Sequence, residues 1–130
     1  MVRVNPGDVV LLPFPLDSEA EEPYKKRPVL VVGAEGRGPD EALVVVMVTG
    51  NPHRYARPRP GDVPLSDWQS VGLARESTVR SRRFWSAESA HVVHRIGAVS
   101  DATLETVRDL IVAIVRPSTT VNQAQTNGVG

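Results

Sequence analysis

The 130-residue chain contains no cysteine, which excludes disulfides and thiolate ligands for a metal ion. Long apolar runs are missing as well. Residues 9–14 form an apolar segment that is too short to span a membrane, and Pro13 and Pro15 interrupt it. No charged region or cleavage site of a secretory signal accompanies this segment. These absences predict a single domain located in the cytoplasm, without a membrane partner.

Net charge is also absent, because fifteen basic and fifteen acidic residues cancel. This balance argues against a general, salt-driven coat for nucleic acids. The charges are unevenly placed, however: residues 1–50 hold five basic and eight acidic residues, whereas residues 51–95 hold eight basic and four acidic ones. Thirteen of the fifteen basic residues are arginine, a side chain suited to bidentate phosphate contacts. The middle of the chain is therefore an arginine-rich zone.

A compact cationic turn, Lys25-Lys26-Arg27, precedes Pro28 and an apolar run at residues 29–33 that predicts a buried strand. Because proline biases its predecessor toward extended geometry, we expect Arg27 at the mouth of this strand, with its direction fixed. A guanidinium held in this way suits an anionic phosphate. A solvated basic turn without a function is the alternative that these residues leave open.

Apolar runs and period-two alternation predict strands at residues 9–14, 29–33, 42–49, 62–65, 77–84 and 90–99. Ser66 is expected to cap a helical turn that ends at Gly72, and Ser100 to cap an amphipathic helix over residues 101–115. Residues 50–60 predict an irregular, exposed, basic loop. Residues 117–130 predict a disordered tail after a domain of residues 1–116. The pattern favours a mainly β fold, either a small barrel or a twisted sheet, with the helix packed against it.

The three histidines do not predict a metal site. His91 and His94 lie three residues apart in a predicted strand, so their side chains should point to opposite faces. No nucleophile elbow or paired-carboxylate motif is present either. No metal or other cofactor is therefore expected.

The remaining residue types suffice for one reaction, the attack of an RNA 2′-OH on its own adjacent phosphate. The substrate brings the nucleophile, so the protein has to orient it, stabilise negative charge and move protons. Arginine supplies charge stabilisation, a threonine hydroxyl holds the phosphate, and Glu19 or Glu22 of the acidic loop takes the proton. Guidance of the strand is predicted for Arg54, Arg57, Arg59 and Arg80.

Several short motifs, in their order and spacing over residues 6–115, resemble the MazF/PemK family of toxins from type II toxin–antitoxin modules. The motifs are Gly7-Asp8-Val-Val-Leu-Leu-Pro-Phe-Pro, Lys26-Arg27-Pro28-Val-Leu-Val-Val, Val-Val-Met-Val48-Thr49, Gly72-Leu73, Ser77-Thr-Val-Arg80 and Arg95-Ile-Gly97, followed by the closing helix.

The resemblance implies an SH3-like barrel, a homodimer, and metal-independent, sequence-specific cleavage of single-stranded RNA that an antitoxin inhibits. It places the catalytic roles on Arg27 and Thr49. Contacts with RNA are also predicted for Lys25, Lys26 and Ser77. The acidic loop departs from the family's Gly-Ser-Glu-Gln type of sequence, since residues 17–23 are Asp-Ser-Glu-Ala-Glu-Glu-Pro.

Two other functions remain open at this point. One is a catalytically silent SH3-like module that binds RNA or a protein partner in the same groove. The other is an enzyme or inhibitor that acts on DNA with a similar barrel. DNA has no 2′-OH, so a deoxy substrate separates the second alternative from RNA cleavage.

Overall fold

The computed structural model describes residues 3–13 and 25–116. The acidic loop, with Glu19 and Glu22, and the predicted tail at residues 117–130 lie outside the described residues.

The described residues form one antiparallel sheet, three α-helices and two 3₁₀ turns. The strands are β1 (Asp8–Pro13), β2 (Lys26–Glu35), β3 (Ala42–Thr49), β4 (Asp62–Leu65), β5 (Ser77–Glu88) and β6 (His94–Ala98), and the helices are α1 (Pro52–Ala56), α2 (Trp68–Val71) and α3 (Asp101–Val115). The 3₁₀ turns are Gly38–Asp40 and Ser89–His91. The sheet has the order β4-β5-β3-β2-β1-β6. The predicted mainly β fold with a closing helix is confirmed, and an SH3-like barrel describes it approximately.

Each face of the sheet buries its own apolar cluster. Leu30, Val46 and Val79 point to the face that α3 covers, where they meet Leu104 and Val107 of that helix. Residues that alternate with these, including Val29, Val31 and Val45, enter a second cluster with Val4 and Val92. This double burial explains why β2 and β3 are apolar along nearly their whole length. A framework buried on both sides holds the ends of these strands in fixed positions.

Helix α3 begins and ends where its sequence predicts. Ser100 accepts a hydrogen bond from the main-chain N–H of Thr103 at 3.2 Å and so caps the helix. Leu104, Val107 and Ile111 are buried, whereas Ile114, in the last turn, remains 46% exposed. Across the described residues, we find no helix with the length and apolar character needed to cross a membrane.

Two glycines allow α2 to lie against β6. Gly72 ends α2 with φ +100°, a left-handed conformation that favours glycine, as predicted. A Cβ atom at Gly97 would overlap the main-chain carbonyl of Val71, so the backbones approach too closely for any side chain there. This contact fixes the segment that leads from α2 into β5.

Several predicted boundaries are wrong for reasons of long-range pairing. Strand β2 begins at Lys26 rather than at residue 29, because β1 supplies partners for Lys26, Arg27 and Pro28. The supposed loop at residues 50–60 contains α1, and α2 begins after Asp67 rather than being capped by Ser66. The sixth strand begins at His94 rather than at residue 90, since residues 89–91 form a 3₁₀ turn.

Strand β5 continues to Glu88, past the predicted end, and contains a bulge. Arg80 pairs with Met47 and Phe84 pairs with Val46, so residues 81–83 have no counterparts in β3. The predicted alternation therefore holds through Arg80 and ends at the bulge. Thr78 and Arg80 do share one face of the sheet, as the alternation requires.

Candidate nucleic-acid cleavage site

The beginnings of β2 and β5 and the end of β3 border one open cleft of about 640 Å³. Its lining brings together residues from sequence positions that are far apart, among them Lys25, Lys26, Arg27, Thr49, Asn51, Arg75 and Ser77. Five of the predicted site residues thus lie around the same cleft, namely Lys25, Lys26, Arg27, Thr49 and Ser77. Cationic and hydroxyl side chains dominate this set, which suits an anionic ligand.

The register of the sheet explains why Arg27 and Thr49 meet. The β2–β3 pairing ends with Val29 opposite Met47, and Arg27 and Thr49 each lie two residues beyond that pair. Thr49 pairs in turn with Thr78 of β5. Paired residues, and residues two apart in one strand, project to the same face. Arg27, Thr49 and Thr78 therefore share one face of the sheet.

The hydroxyl of Thr49 is oriented by the residue that caps α1. The main-chain N–H of Asn51 donates to Thr49 Oγ1 at 3.2 Å, and Asn51 Oδ1 accepts from the main-chain N–H of His53 at 2.9 Å. Because the Thr49 oxygen already accepts a bond, its own proton is available for donation. A phosphate oxygen in the cleft is a suitable acceptor.

Four buried side-chain polar atoms have no hydrogen-bond partner within residues 3–13 and 25–116. They are Arg27 Nε, Thr78 Oγ1, Arg80 Nε and Ser81 Oγ. Buried polar groups are nearly always paired, so a cluster of unpaired ones calls for an explanation. Two of these atoms belong to arginines on the face that carries Thr49. Each of these arginines therefore lacks an acceptor for its Nε among the described residues.

Arg75 lines the cleft but is missing from the sequence predictions. Its main-chain carbonyl accepts a hydrogen bond from Ser77 Oγ at 2.7 Å, and its side chain lies over Gly50, where a Cβ atom would clash with it. The signal in the sequence is modest, a lone arginine between the helix-ending Gly72 and the start of β5. The Ser77 hydroxyl thus helps to hold the segment that presents Arg75.

The predicted strand-guiding arginines lie outside this cleft. Arg54, Arg57 and Arg59 border an adjacent pocket of about 370 Å³ together with Asn51 and His53. Asn51 lines both cavities, which makes them neighbours. Arg54 has a structural partner as well, since its Nε lies 3.0 Å from Asp62. The RNA contacts assigned to these arginines and to Arg80 remain predictions.

The described residues include no group of three or more histidine, aspartate and glutamate side chains placed to hold a metal ion. His91 lies 3.7 Å from Glu88 in a 3₁₀ turn, apart from His94. The cleft offers guanidinium and hydroxyl groups instead. These groups can bind a phosphate, stabilise added negative charge on it and donate hydrogen bonds.

Residues 5–115 match the family described as PemK-like, MazF-like toxin of type II toxin–antitoxin system. Solved structures share the fold. An endoribonuclease from a mycobacterial species, in complex with its cognate antitoxin, superposes with a TM-score of 0.63 at 19% identity, covering 89% of this chain and 99% of that one. A second mycobacterial endoribonuclease gives 0.61 at 18%, covering 88% and 94%. The Mycobacterium tuberculosis toxin MazF-mt6 gives 0.56 at 19%, covering 79% and 92%.

Proposed function

Since the chain belongs to the family of PemK-like, MazF-like toxins of type II toxin–antitoxin systems, we propose that it is a sequence-specific endoribonuclease that cleaves single-stranded RNA without a metal ion. The observation that carries this proposal is the convergence of Arg27 and Thr49 in one cationic cleft. The fold is shared with two mycobacterial proteins that are named endoribonucleases.

The reaction requires little from the protein beyond orientation and charge. The substrate 2′-oxygen attacks the adjacent phosphorus, the O2′–P bond forms, and the P–O5′ bond breaks. The products are a 2′,3′-cyclic phosphate and a 5′-hydroxyl group. One proton leaves the 2′-OH and another reaches the departing O5′.

Each cleft residue has a place in this scheme. The Arg27 guanidinium binds the phosphate oxygens, stabilises the extra charge of the pentavalent state and helps to protonate O5′. Thr49 donates a hydrogen bond that positions the phosphate. The proton of the 2′-OH is assigned to a carboxylate of the acidic loop, Glu19 or Glu22. Lys25, Lys26 and Arg75 direct the strand into the cleft.

The assembly follows from the family. We propose a homodimer whose activity a cognate antitoxin protein inhibits by covering the cleft, as an antitoxin accompanies one of the structural neighbours. Cellular single-stranded RNA is the substrate, which places the protein in the cytoplasm.

The direct test is cleavage of a long single-stranded RNA by purified protein, freed of any co-expressed antitoxin, in the presence of EDTA. We expect discrete cuts with 2′,3′-cyclic phosphate ends, and no cuts in a DNA of the same sequence. Arg27→Ala should lower the rate by about 10³-fold. Its melting temperature should stay close to that of the wild type, since Arg27 lies outside both apolar clusters.

Arg37→Ala is the matched control, because Arg37 is an exposed arginine in the connector between β2 and β3, which does not line the cleft. It should cut at the wild-type rate. Wild-type cleavage by Arg27→Ala would contradict the assignment. Binding of RNA by well-folded protein without any cutting would instead favour the silent binding module.

A further inference from the structure

The carboxylate of Asp62 is already paired with neighbours other than Arg80. The Asp62 side chain is only 2% exposed, and its oxygens accept hydrogen bonds from Arg54 Nε at 3.0 Å and Arg54 Nη2 at 3.2 Å. The main-chain N–H of Arg59 donates to the same carboxylate at 2.9 Å. This bidentate ion pair balances the charge of Asp62 with that of Arg54, so little of it is left to compensate Arg80.

Arg80 lies beside this pair and has no ion-pair partner of its own within residues 3–13 and 25–116. It is the register partner of Asp62 in β4 and of Met47 in β3. Its Nη1 contacts the Met47 sulfur at 3.8 Å, a weak acceptor, and its Nε is buried without a partner among the described residues. Burial lowers the pKa of Arg80, as do the nearby guanidinium groups of Arg54, Arg83 and Arg59, while Asp62 acts in the opposite direction. Among the described residues, three guanidinium groups therefore surround Arg80 against one carboxylate, which already pairs with Arg54.

The position of Arg80 relates it to the cleft. Thr49 pairs with Thr78, so Arg80, two residues further along β5, is a diagonal neighbour of Thr49 on the same face. Such neighbours are separated by about 7–8 Å. Asn51 also connects the cleft with the pocket of Arg54 and Arg59. A nucleic-acid strand that leaves the cleft therefore meets this cluster within a nucleotide or two.

We propose that Arg80, with Arg54, Arg59 and Arg83 around it, forms a second phosphate subsite that holds a non-scissile phosphate of the RNA strand. This inference rests on the proposed function, because it takes the scissile phosphate to lie at Arg27 and Thr49. Arginine favours this ligand, since its planar fork can bind two phosphate oxygens at once. The bound phosphate would supply the charge and the acceptors that Arg80 lacks.

Binding of an uncleavable strand tests the subsite independently of catalysis. The probe is a fluorescein-labelled, fully 2′-O-methylated RNA of random sequence, and fluorescence anisotropy is recorded over a series of salt concentrations. We expect Arg80→Gln to weaken binding by about 10-fold and to make the slope of log K against log salt less negative by about 0.7, the loss of one phosphate contact. Arg80→Lys, which keeps the charge, should keep most of the slope.

Two further variants make the outcome decisive. Arg83→Gln removes an exposed charge of the same cluster and should reduce the slope even if Arg80→Gln proves to fold poorly. Arg37→Gln removes an equally exposed charge in the β2–β3 connector and should leave affinity and slope unchanged. If Arg83→Gln and folded Arg80→Gln both bind the RNA with the affinity and the salt slope of the wild type, the proposed subsite is wrong. Failure of the wild type to cleave RNA would contradict the proposed function. The binding series uses an RNA that cannot be cleaved, so it tests the subsite whether or not cleavage occurs.

Discussion

Two pairs of arginines in this protein differ in whether the described residues satisfy them. Outside the cleft, Arg108 Nε donates to the main-chain carbonyl of Val32 at 2.9 Å, and Arg95 Nε donates to Asp8 at 3.0 Å. At the cleft and beside it, the Nε atoms of Arg27 and Arg80 are buried without a partner among the described residues. The same residue type is used for two purposes.

This difference distinguishes arginines that stabilise the fold from arginines whose partners the proposed function supplies. A buried donor without an acceptor costs free energy of folding. Arg95 and Arg108 avoid that cost, whereas Arg27 and Arg80 bear it in the described structure. In the proposed function, phosphates of the RNA strand offset it.

Asp62→Asn should have the largest effect on stability, because it removes the negative charge that pairs with Arg54. Asp62 is nearly inaccessible, and the change leaves the charge of Arg54 without its partner. We expect the free energy of unfolding to fall by about 3 kcal/mol, measured by urea denaturation. Asp101→Asn, which changes an exposed carboxylate at the start of α3, is the control and should cost less than about 1 kcal/mol. Equal losses in the two variants would show that the Arg54 pair is not structural.

Much of the fold could be predicted from local pattern. The bounds of β3, β4 and α3 agree with the sequence predictions, because apolar periodicity and the Ser100 cap act within a few residues. The convergence of Arg27 and Thr49 was also expected, since the family resemblance assigned both residues to one site. The strand and helix bounds depend on signals within a single segment, whereas the convergence was expected from the resemblance alone.

The features that the sequence did not predict arise from pairing between distant segments. Strand β2 is longer than its apolar run because β1 pairs with its polar beginning, and the bulge in β5 appears only in its register with β3. The ion pair of Arg54 with Asp62 depends on how α1 meets β4. Neither this pair nor the isolation of Arg80 has a local signature.

Thr49→Val should have an intermediate effect, seen mainly in the cleavage rate. It extends the comparison of the arginines to an uncharged side chain of the cleft. Valine keeps the shape of threonine but removes the hydroxyl that accepts from the Asn51 N–H at 3.2 Å. We expect the cleavage rate to fall by about 10-fold, the value of one hydrogen bond to the phosphate. Stability should change by less than about 1 kcal/mol, because Asn51 is exposed and water can replace the lost acceptor.

Thr49→Ser is the matched variant for this prediction, because it retains the hydroxyl while it loses the methyl group. It should cleave nearly as fast as the wild type. Equal rates in the serine and valine variants would mean that the hydroxyl does not position the phosphate.

Arg80→Gln should have the smallest effect on stability. It should stabilise the protein slightly, whereas loss of an arginine that supports the fold should destabilise it. The lowered pKa of Arg80 means that the folded protein binds this proton less tightly than the unfolded chain does, so the charge opposes folding near neutral pH. Replacing it with a neutral side chain should therefore raise the melting temperature slightly, by about 1–2 °C. The gain should shrink at high salt, which screens the repulsion from Arg54, Arg83 and Arg59.

Arg54→Gln is the comparison variant, measured by the same thermal denaturation. It should lower the melting temperature, because Asp62 loses its partner. A drop of several degrees in Arg80→Gln would show that Arg80 stabilises the fold and would remove its contrast with Arg95 and Arg108.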